Sequence, residues 1–244
     1  MQEYTPVKEG KVREIYDCEF GLLYLTEEGI LNDSGIEDTE SIPGNGAAEV
    51  YVLHSMAEES KNTPVKKIGS FKWDTANYLS EDGTVYIWQE EQWKPLTSTE
   101  KVVDVAGSFL LTETGKVLKW TSGEEMDSAS DQPYRRIFSR DSSDCIGMTM
   151  DGTYTAWATD HFFNEPVDVD DFKDVVDIEV ASSHHAIGLT NSGNIKYVSA
   201  EDAAFQFEPL LQWNNIIAIT DYESIVYGLD QKGKVYVVNL VQNP

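Results

Sequence analysis

One phrase is written six times along these 244 residues. It consists of a short β-branched run, a second apolar stretch closing on Leu-Thr or a near equivalent, a polar turn containing glycine, and a third apolar run. A chain with such a period is confined to repeat architectures, because each copy is one small unit that buries its faces only against its neighbours. The clearest copies are VVDVAGSFLLTETGKVLKW from Val102 and VVDIEVASSHHAIGLTNSGNIKYV from Val175; the others start at Val12, Val65, Arg135 and Ile216.

Alignment on the turn glycines Gly29, Gly83, Gly115, Gly152, Gly193 and Gly233 exposes the core positions. Four residues before each glycine stand Leu25, Leu79, Leu111, Met148, Leu189 and Leu229. Two residues after it come Leu31, Val85, Val117, Tyr154, Ile195 and Val235. Five after it are Trp88, Trp120, Trp157, Val198 and Val238, with Ser34 in the first copy. These tryptophans share a column with valines, so they read as packing residues rather than as a site. Turns such as Glu-Asp-Gly and Asn-Ser-Gly between β-rich runs predict hairpins. Six of the eight prolines, Pro6, Pro64, Pro95, Pro133, Pro166 and Pro209, lie upstream of successive copies. Proline cannot donate to a central ladder, so each marks an edge strand or the connection into a new unit.

The expected fold is therefore all-β: one domain spanning 1–244, a closed β-propeller of six short blades. Gly29 and Gly83 are 54 residues apart, whereas the other intervals run from 32 to 41. Residues 35–63 are thus an insertion or a degenerate seventh blade, with Glu49–Leu53 as its strand candidate. The segment YTPV near the start is a candidate to join the last blade.

The phrases SHHAIGLTNSGNIKYV and GSFLLTETGKVLKW resemble the regulator-of-chromosome-condensation repeat. In that register His185, Thr190 and Gly193 fall on the family's His, Thr and turn Gly, and Trp88, Trp120 and Trp157 on its Trp. The Gly-Gln-Leu-Gly element between repeats is absent and one copy alone keeps the His. In style the chain is similar to short-repeat bacterial members, including propeller-type β-lactamase inhibitor proteins. That resemblance implies a ring that binds a partner protein with one face, in the inhibitor case an enzyme.

Eighteen basic residues stand against 43 acidic ones, a formal charge of −25. Such a field repels phosphate backbones and anionic lipid, which argues against direct nucleic-acid or membrane-surface binding; it attracts a basic protein surface or simply confers solubility. No apolar run reaches membrane-spanning length, and MQEYTPVKEGK lacks the apolar centre of an export signal. A soluble monomer is expected, with the cytoplasm slightly favoured, or secretion if a signal has been trimmed. Cys18 and Cys145 fall in the first and fourth copies, on opposite sides of a six-bladed ring, so two free thiols are expected.

Catalytic and metal constellations are thin. No nucleophile elbow, phosphate-cradling loop or H-E-x-x-H occurs, so no catalytic residue, cofactor or metal is assigned and the chain reads as a non-enzyme. Four histidines exist, His54, His161, His184 and His185; the adjacent pair, on a strand, would point to opposite faces. Asp168, Asp170 and Glu179 occupy the first, third and twelfth positions of a calcium loop. Phe172 fills the fifth, however, and Lys173 the sixth, where glycine is needed, so an acidic connector is the better reading.

Between the first and second strands of every copy the chain varies while the strands hold register, and such loops repeat on one face. That face would present Glu19 and Phe20, Phe71, Lys72 and Trp73, Ser108, Arg140 and Asp141, Ser183 and His184, and Tyr222 and Glu223. Aromatic and charged loop residues resemble interface anchors. The expected function is protein binding, in its sharper form inhibition of a partner enzyme. Two alternatives stand: a small-ligand binder or enzyme using the central channel, and an acidic nucleic-acid mimic.

Overall fold

The computed structural model describes residues 2–4, 11–18, 21–33, 46–70, 72, 75–97, 100–120, 124–125, 132–139, 144–158, 172, 174–182, 185–199, 207–222 and 225–240. They fall into two compact units. One comprises Met1–Glu28, Asn32–Ile36 and Glu165–Pro244, the other Gly29–Leu31 and Glu37–Asn164.

Each sequence copy forms its own antiparallel sheet. The first copy gives β2 (Val12–Cys18), β3 (Gly21–Thr26) and β4 (Leu31–Asp33), paired in that order, and a short N-terminal strand, β1 (Gln2–Tyr4), precedes them. The second gives β5 (Val65–Ser70), β6 (Asn77–Ser80), β7 (Val85–Gln89) and β8 (Gln92–Pro95). The third gives β9 (Val102–Ala106), β10 (Phe109–Thr112), β11 (Val117–Lys119) and β12 (Glu124–Glu125). The fourth gives β13 (Tyr134–Phe138), β14 (Asp144–Thr149) and β15 (Tyr154–Ala158), and the fifth β16 (Val175–Ser182), β17 (His185–Thr190) and β18 (Ile195–Ser199). The sixth gives β19 (Ile216–Tyr222), β20 (Ile225–Asp230) and β21 (Val235–Asn239), and its fourth strand is β1. Gln2 pairs with Val237 and Tyr4 with Val235, so this N-terminal strand completes the last sheet; of the expected segment YTPV, Tyr4 alone lies among the described residues.

All six turn glycines take positive φ, between 78° and 90°, a region that an L side chain enters only at a cost. In the second to sixth copies the residue that ends the middle strand ties the turn. The Lys116 N–H donates to Thr112 Oγ1 at 3.2 Å, Asn194 N–H to Thr190 Oγ1 at 2.9 Å, and Lys234 N–H to Asp230 Oδ1 at 2.9 Å. The Thr of the recurrent Leu-Thr pair is thus a turn clamp, which also explains why Ser80 and Asp230 substitute for it. Glycine has a second duty at some turns. The Gly115 carbonyl accepts the Tyr134 N–H of the next copy at 3.1 Å, and a Cβ on Gly115 would lie 2.3 Å from Pro133 Cβ.

Within each unit the aligned apolar columns form the cores between neighbouring sheets. Leu25, Leu79, Leu111, Met148, Leu189 and Leu229 are all buried. Leu79, Val85 and Ile87 of the second sheet pack on Val102, Val105 and Leu110 of the third, whose other face meets Tyr134, Ile137 and Cys145 of the fourth. In the other unit the sixth sheet packs through Ile219, Val226 and Val238 on Ile187 and Leu189, and through Ala218, Leu229 and Val235 on Ile15, Leu22 and Tyr24. Trp88 is buried and Trp120 half-buried, as packing residues; the Trp157 side chain lies outside the described residues. Middle-strand glycines make room for connectors. A Cβ on Gly188 would meet Phe172 at 2.6 Å, and one on Gly228 would meet Trp213 at 2.6 Å. Phe172, at the fifth position of the calcium-like run, is therefore a core residue.

The prolines sit where missing N–H groups cost least. Pro95 ends the outermost strand β8, Pro64 and Pro133 immediately precede β5 and β13, and Pro209 leads into the 3-10 helix Leu210–Gln212 ahead of β19. Pro6 and Pro166 lie outside the described residues.

The long interval departs from expectation. Glu49–Leu53, expected as a strand, lies inside helix α1 (Gly46–Ser60). EVYVL taken alone alternates like a strand, but GAAEVYVLHSMAEES carries the helix formers Ala and Glu at both ends, and Val50, Leu53, Met56 and Ser60 are buried at helical spacing. Val52 packs on Trp88 with Ala76. At the helix end Ser60 Oγ donates to the Ala57 carbonyl at 2.7 Å and accepts the Leu31 N–H at 3.0 Å. The described part of the interval is thus helical and adds no strand to a seventh sheet.

Candidate recognition surface

Every hairpin joining the first strand of a copy, its inner strand, to the middle strand ends opposite the glycine turn, at the pairs Cys18 with Gly21, Ser70 with Asn77, Ala106 with Phe109, Phe138 with Ile146, Ser182 with His185, and Tyr222 with Ile225. The expected recognition segments lie between these ends. Lys72 is exposed on a bend between β5 and β6, and Tyr222 is the last residue of β19. Glu19, Phe20, Phe71, Trp73, Arg140, Asp141, Ser183, His184 and Glu223 lie outside the described residues, as do His161, Asp168, Asp170 and Lys173. Ser108, expected at the surface, is fully buried. The turn between β9 and β10 is too tight to lift it into solvent, and the Trp120 N–H donates to its carbonyl at 3.1 Å.

Where this end is described, it is rigidly stitched. Ser70 Oγ lies 3.1 Å from Thr75 Oγ1 and accepts the Lys72 N–H at 3.2 Å, while the Thr75 N–H donates to the Lys72 carbonyl at 3.0 Å. Buried Asn77 donates from Nδ2 to the Thr75 carbonyl at 2.8 Å and to the Gly107 carbonyl at 2.7 Å, and the Gly107 N–H reaches the Gly69 carbonyl at 2.7 Å. The second and third sheets thereby hold their loop ends in fixed relation. In the other unit the Asp17 N–H donates to Thr220 Oγ1 at 3.1 Å, joining the first sheet to the sixth. Burial pushes the Asp17 carboxyl up to about 7, while a hydrogen bond from Tyr227 pulls the other way.

The inner strands carry a charge pattern that the loop-centred reading missed. In each copy the ladder slips by one residue between the first and third positions of the inner strand, a β-bulge. The slip sets Glu14, Lys67, Asp104, Arg136 and Asp177, with Ala218 in the last copy, opposite the buried Leu/Met column. Cross-strand neighbours share a face, so charge is carried into the seam between sheets. Lys67 Nζ lies 2.7 Å from Asp104 Oδ1. Asp104 also accepts the Val105 N–H at 3.0 Å and, through Oδ2, the Ile137 N–H at 3.1 Å, so one carboxylate ties β5, β9 and β13 together. Lys67 Nζ and the Arg136 guanidinium stand 5.9 and 5.1 Å from the centre of the Phe138 ring. The signal was present as a charged residue two places into four of the six runs, and one place into the fourth, which begins at Arg135.

Charge sign is segregated between the units. Inner strands β5, β9 and β13 carry Lys66, Lys67, Arg135 and Arg136 against Asp104, whereas β2, β16 and β19 carry Arg13 against Glu14, Asp17, Asp177, Glu179 and Asp221. Among the described residues no three His, Cys, Asp or Glu side chains gather as metal ligands, and no helix is long and apolar enough to cross a membrane. His54 is exposed on α1, and Cys145 is a buried thiol outside any disulfide; the side chains of His185 and Cys18 lie outside the described residues.

No protein-family model matches the chain, and no curated protein matches it by sequence. Solved structures do match. Prp20p of Saccharomyces cerevisiae, described with its binding properties to Gsp1p and histones, is 14% identical with a TM-score of 0.52, over 90% of this chain and 70% of that one. The yeast RCC1 (Prp20) chain in a structure with Kap60 bound gives 14% and 0.52 over 90% and 68%. U3-55K gives 11% identity and a TM-score of 0.51 over 98% of this chain and 84% of that one. These are propeller proteins, and at such identity the likeness speaks to architecture alone. Six antiparallel sheets, one for each copy, with cores between neighbouring sheets inside each unit and the strand Gln2–Tyr4 completing the last sheet, agree with it: the chain has a β-propeller fold.

Proposed function

We propose that the six sheets are the blades of one closed ring, and that the ring is a non-enzymatic module that binds a partner protein through the loop ends of its inner hairpins. The observation that carries this reading is the contrast between fixed and variable parts. Turn glycines, leucine columns and inner-strand bulges repeat six times, while the segments at the opposite hairpin ends share neither length nor chemistry. Variation held on a rigid frame is what a recognition surface requires. The hydrogen bonds through Asn77 and Gly107 supply that rigidity in the second and third blades.

Phe20, Phe71, Trp73 and Tyr222 supply the apolar anchors of this surface, and Glu19, Lys72, Arg140, Asp141, His184 and Glu223 its polar rim. A charge of −25 favours a basic partner and speeds encounter with it. The protein binding described for Prp20p offers a precedent on the same architecture. Inhibition of a partner enzyme is the specific form, supported by the resemblance to bacterial inhibitor propellers. The test is a pull-down with the wild type and with Trp73→Ala/Tyr222→Ala. Loss of a saturable partner from the folded variant supports this face, and equal capture by both removes it.

A further inference from the structure

Asp17 and Thr220 occupy matching places in neighbouring sheets. Asp17, on β2, comes two and three residues before the recognition positions Glu19 and Phe20; Thr220, on β19, comes two and three before Tyr222 and Glu223. The Asp17 N–H donates to Thr220 Oγ1 at 3.1 Å, a bond between sheets rather than within one ladder. Thr220 pairs across its own sheet with Tyr227 on β20, and the Tyr227 O–H donates to the Asp17 carboxyl. One residue of the first sheet is thus held twice by the sixth, through backbone and side chain, at the foot of both loop ends.

The carboxyl enters an apolar seam. Asp17 stands opposite Leu22, and two places back Ile15 stands opposite Tyr24, so the four share a face. That face packs on Ala218, Leu229 and Val235 of the sixth sheet, with Tyr227 and Val237 against them. Of the titratable and charged groups on the packed strands, Tyr24 and Tyr227 share the seam. Glu14 and Tyr16 of β2 lie on its other face, where the Tyr16 O–H donates to Glu14, and Arg13 sits four residues back at the bulge. On β19 Asp221, next to Thr220, points to the opposite side; Asp230 of β20 clamps the distant glycine turn, and Tyr236 of β21 faces the fifth sheet. A carboxylate in this seam loses much of its water, and one hydroxyl donor does not replace it. Burial accordingly raises the carboxyl from 3.8 to about 7, against the pull of Tyr227.

We propose that Asp17, Thr220 and Tyr227 form a proton-controlled latch between the first and sixth sheets, closed while the Asp17 carboxyl holds its proton and loosened when it ionises, which sets how firmly the loop ends of these two sheets are held together. The sign follows from hydration. The proton lets the carboxyl stay in the seam, whereas the charge draws water in and parts the sheets there. With the closed joint titrating at about 7 and the opened one at 3.8, closure is favoured about tenfold more at pH 6 than at pH 8. As a control on the proposed recognition surface the latch rests on the protein-binding reading; its opening does not.

Amide hydrogen exchange of the full chain, followed by NMR between pH 6 and pH 8 and corrected for the intrinsic rate, reads the latch at the Asp17 N–H. Its protection should fall about tenfold across that range. The Gly107 N–H, which reaches from the third sheet to the Gly69 carbonyl of the second at 2.7 Å, should keep its protection and is the control. Asp17→Asn should abolish the fall. Tyr227→Phe should move it to higher pH, because the donor that favours the carboxylate is gone, a displacement that lost packing alone would not produce. Constant protection in the wild type, an equal fall in Asp17→Asn, a parallel fall at Gly107, or a midpoint unmoved by Tyr227→Phe overturns the proposal. No partner takes part in this measurement, so constant protection would leave the loop-face reading standing, and a failed pull-down with Trp73→Ala/Tyr222→Ala would leave the latch.

Discussion

Two glycines with the same backbone angle should differ sharply when each is given one methyl group. Gly83 and Gly115 have φ of 90° and 88°, so alanine at either meets the same left-handed backbone penalty, about 1–2 kcal/mol. Around Gly83 a Cβ meets nothing within 4 Å, and the substitution should cost no more than that penalty. At Gly115 the Cβ would lie 2.3 Å from Pro133 Cβ and 3.1 Å from the Tyr134 amide nitrogen, whose N–H the Gly115 carbonyl accepts. Proline is rigid and cannot swing aside, so the third and fourth sheets must part locally. That adds about 1–3 kcal/mol of overpacking and endangers a hydrogen bond worth about 1 kcal/mol. The expected totals are about 1–2 kcal/mol for Gly83→Ala and about 3–6 kcal/mol for Gly115→Ala. For a chain of this size these correspond to melting shifts of about 2–8 °C and about 6–24 °C. Urea titration followed by tryptophan fluorescence, with thermal melts, measures both. Equal losses would refute the claim that this turn is also a joint between sheets.

Asp17→Asn should stabilise the protein at pH 8 by about 1–2 kcal/mol, less than the full shift would imply because solvent still reaches the carboxyl. The folded pKa is raised from 3.8 to about 7, so the native state holds the extra proton and stability falls as pH rises across that window. The advantage of Asn should therefore vanish near pH 4, and an advantage independent of pH would contradict the burial of this group. Lys67→Met leaves the Asp104 carboxylate without its cation in a seam where the pair is 22% and 13% exposed, and should cost about 2–3 kcal/mol by urea titration. Lys67→Met/Asp104→Asn, in which the amide oxygen can still accept the Ile137 N–H, should be milder than the sum of the single changes. Cys145 should resist a thiol reagent in the native protein and react after denaturation, giving two thiols in total with Cys18.

The hairpins were legible because their cause is local. Glycine at a positive-φ turn, Thr or Asp as its clamp and leucine four residues earlier are all written within a dozen positions of Gly115 or Gly233. The helix at Gly46–Ser60 was misread because EVYVL alternates over five residues, and only the wider window reveals the buried spacing of Val50, Leu53, Met56 and Ser60. Ser108 was misplaced since sequence gives a loop's position but not its height. The triad of Lys67, Asp104 and the Ile137 amide was invisible for another reason. Its members sit in three different copies, 37 and 33 residues apart, and each reads by itself as an ordinary surface charge or strand residue.

Pairing of Gln2–Tyr4 with Val235–Val237 sets an order on biosynthesis. Gln2–Tyr4 must wait for a strand that begins 231 residues after Tyr4 before its backbone groups find their ladder. Bringing such distant segments together is entropically costly and slow, so this seal should be among the last parts to form and the first to open under stress. A bulky fusion placed ahead of Gln2 would weigh on that seal, whereas an insertion in an exposed glycine turn such as Gly83 would spare it.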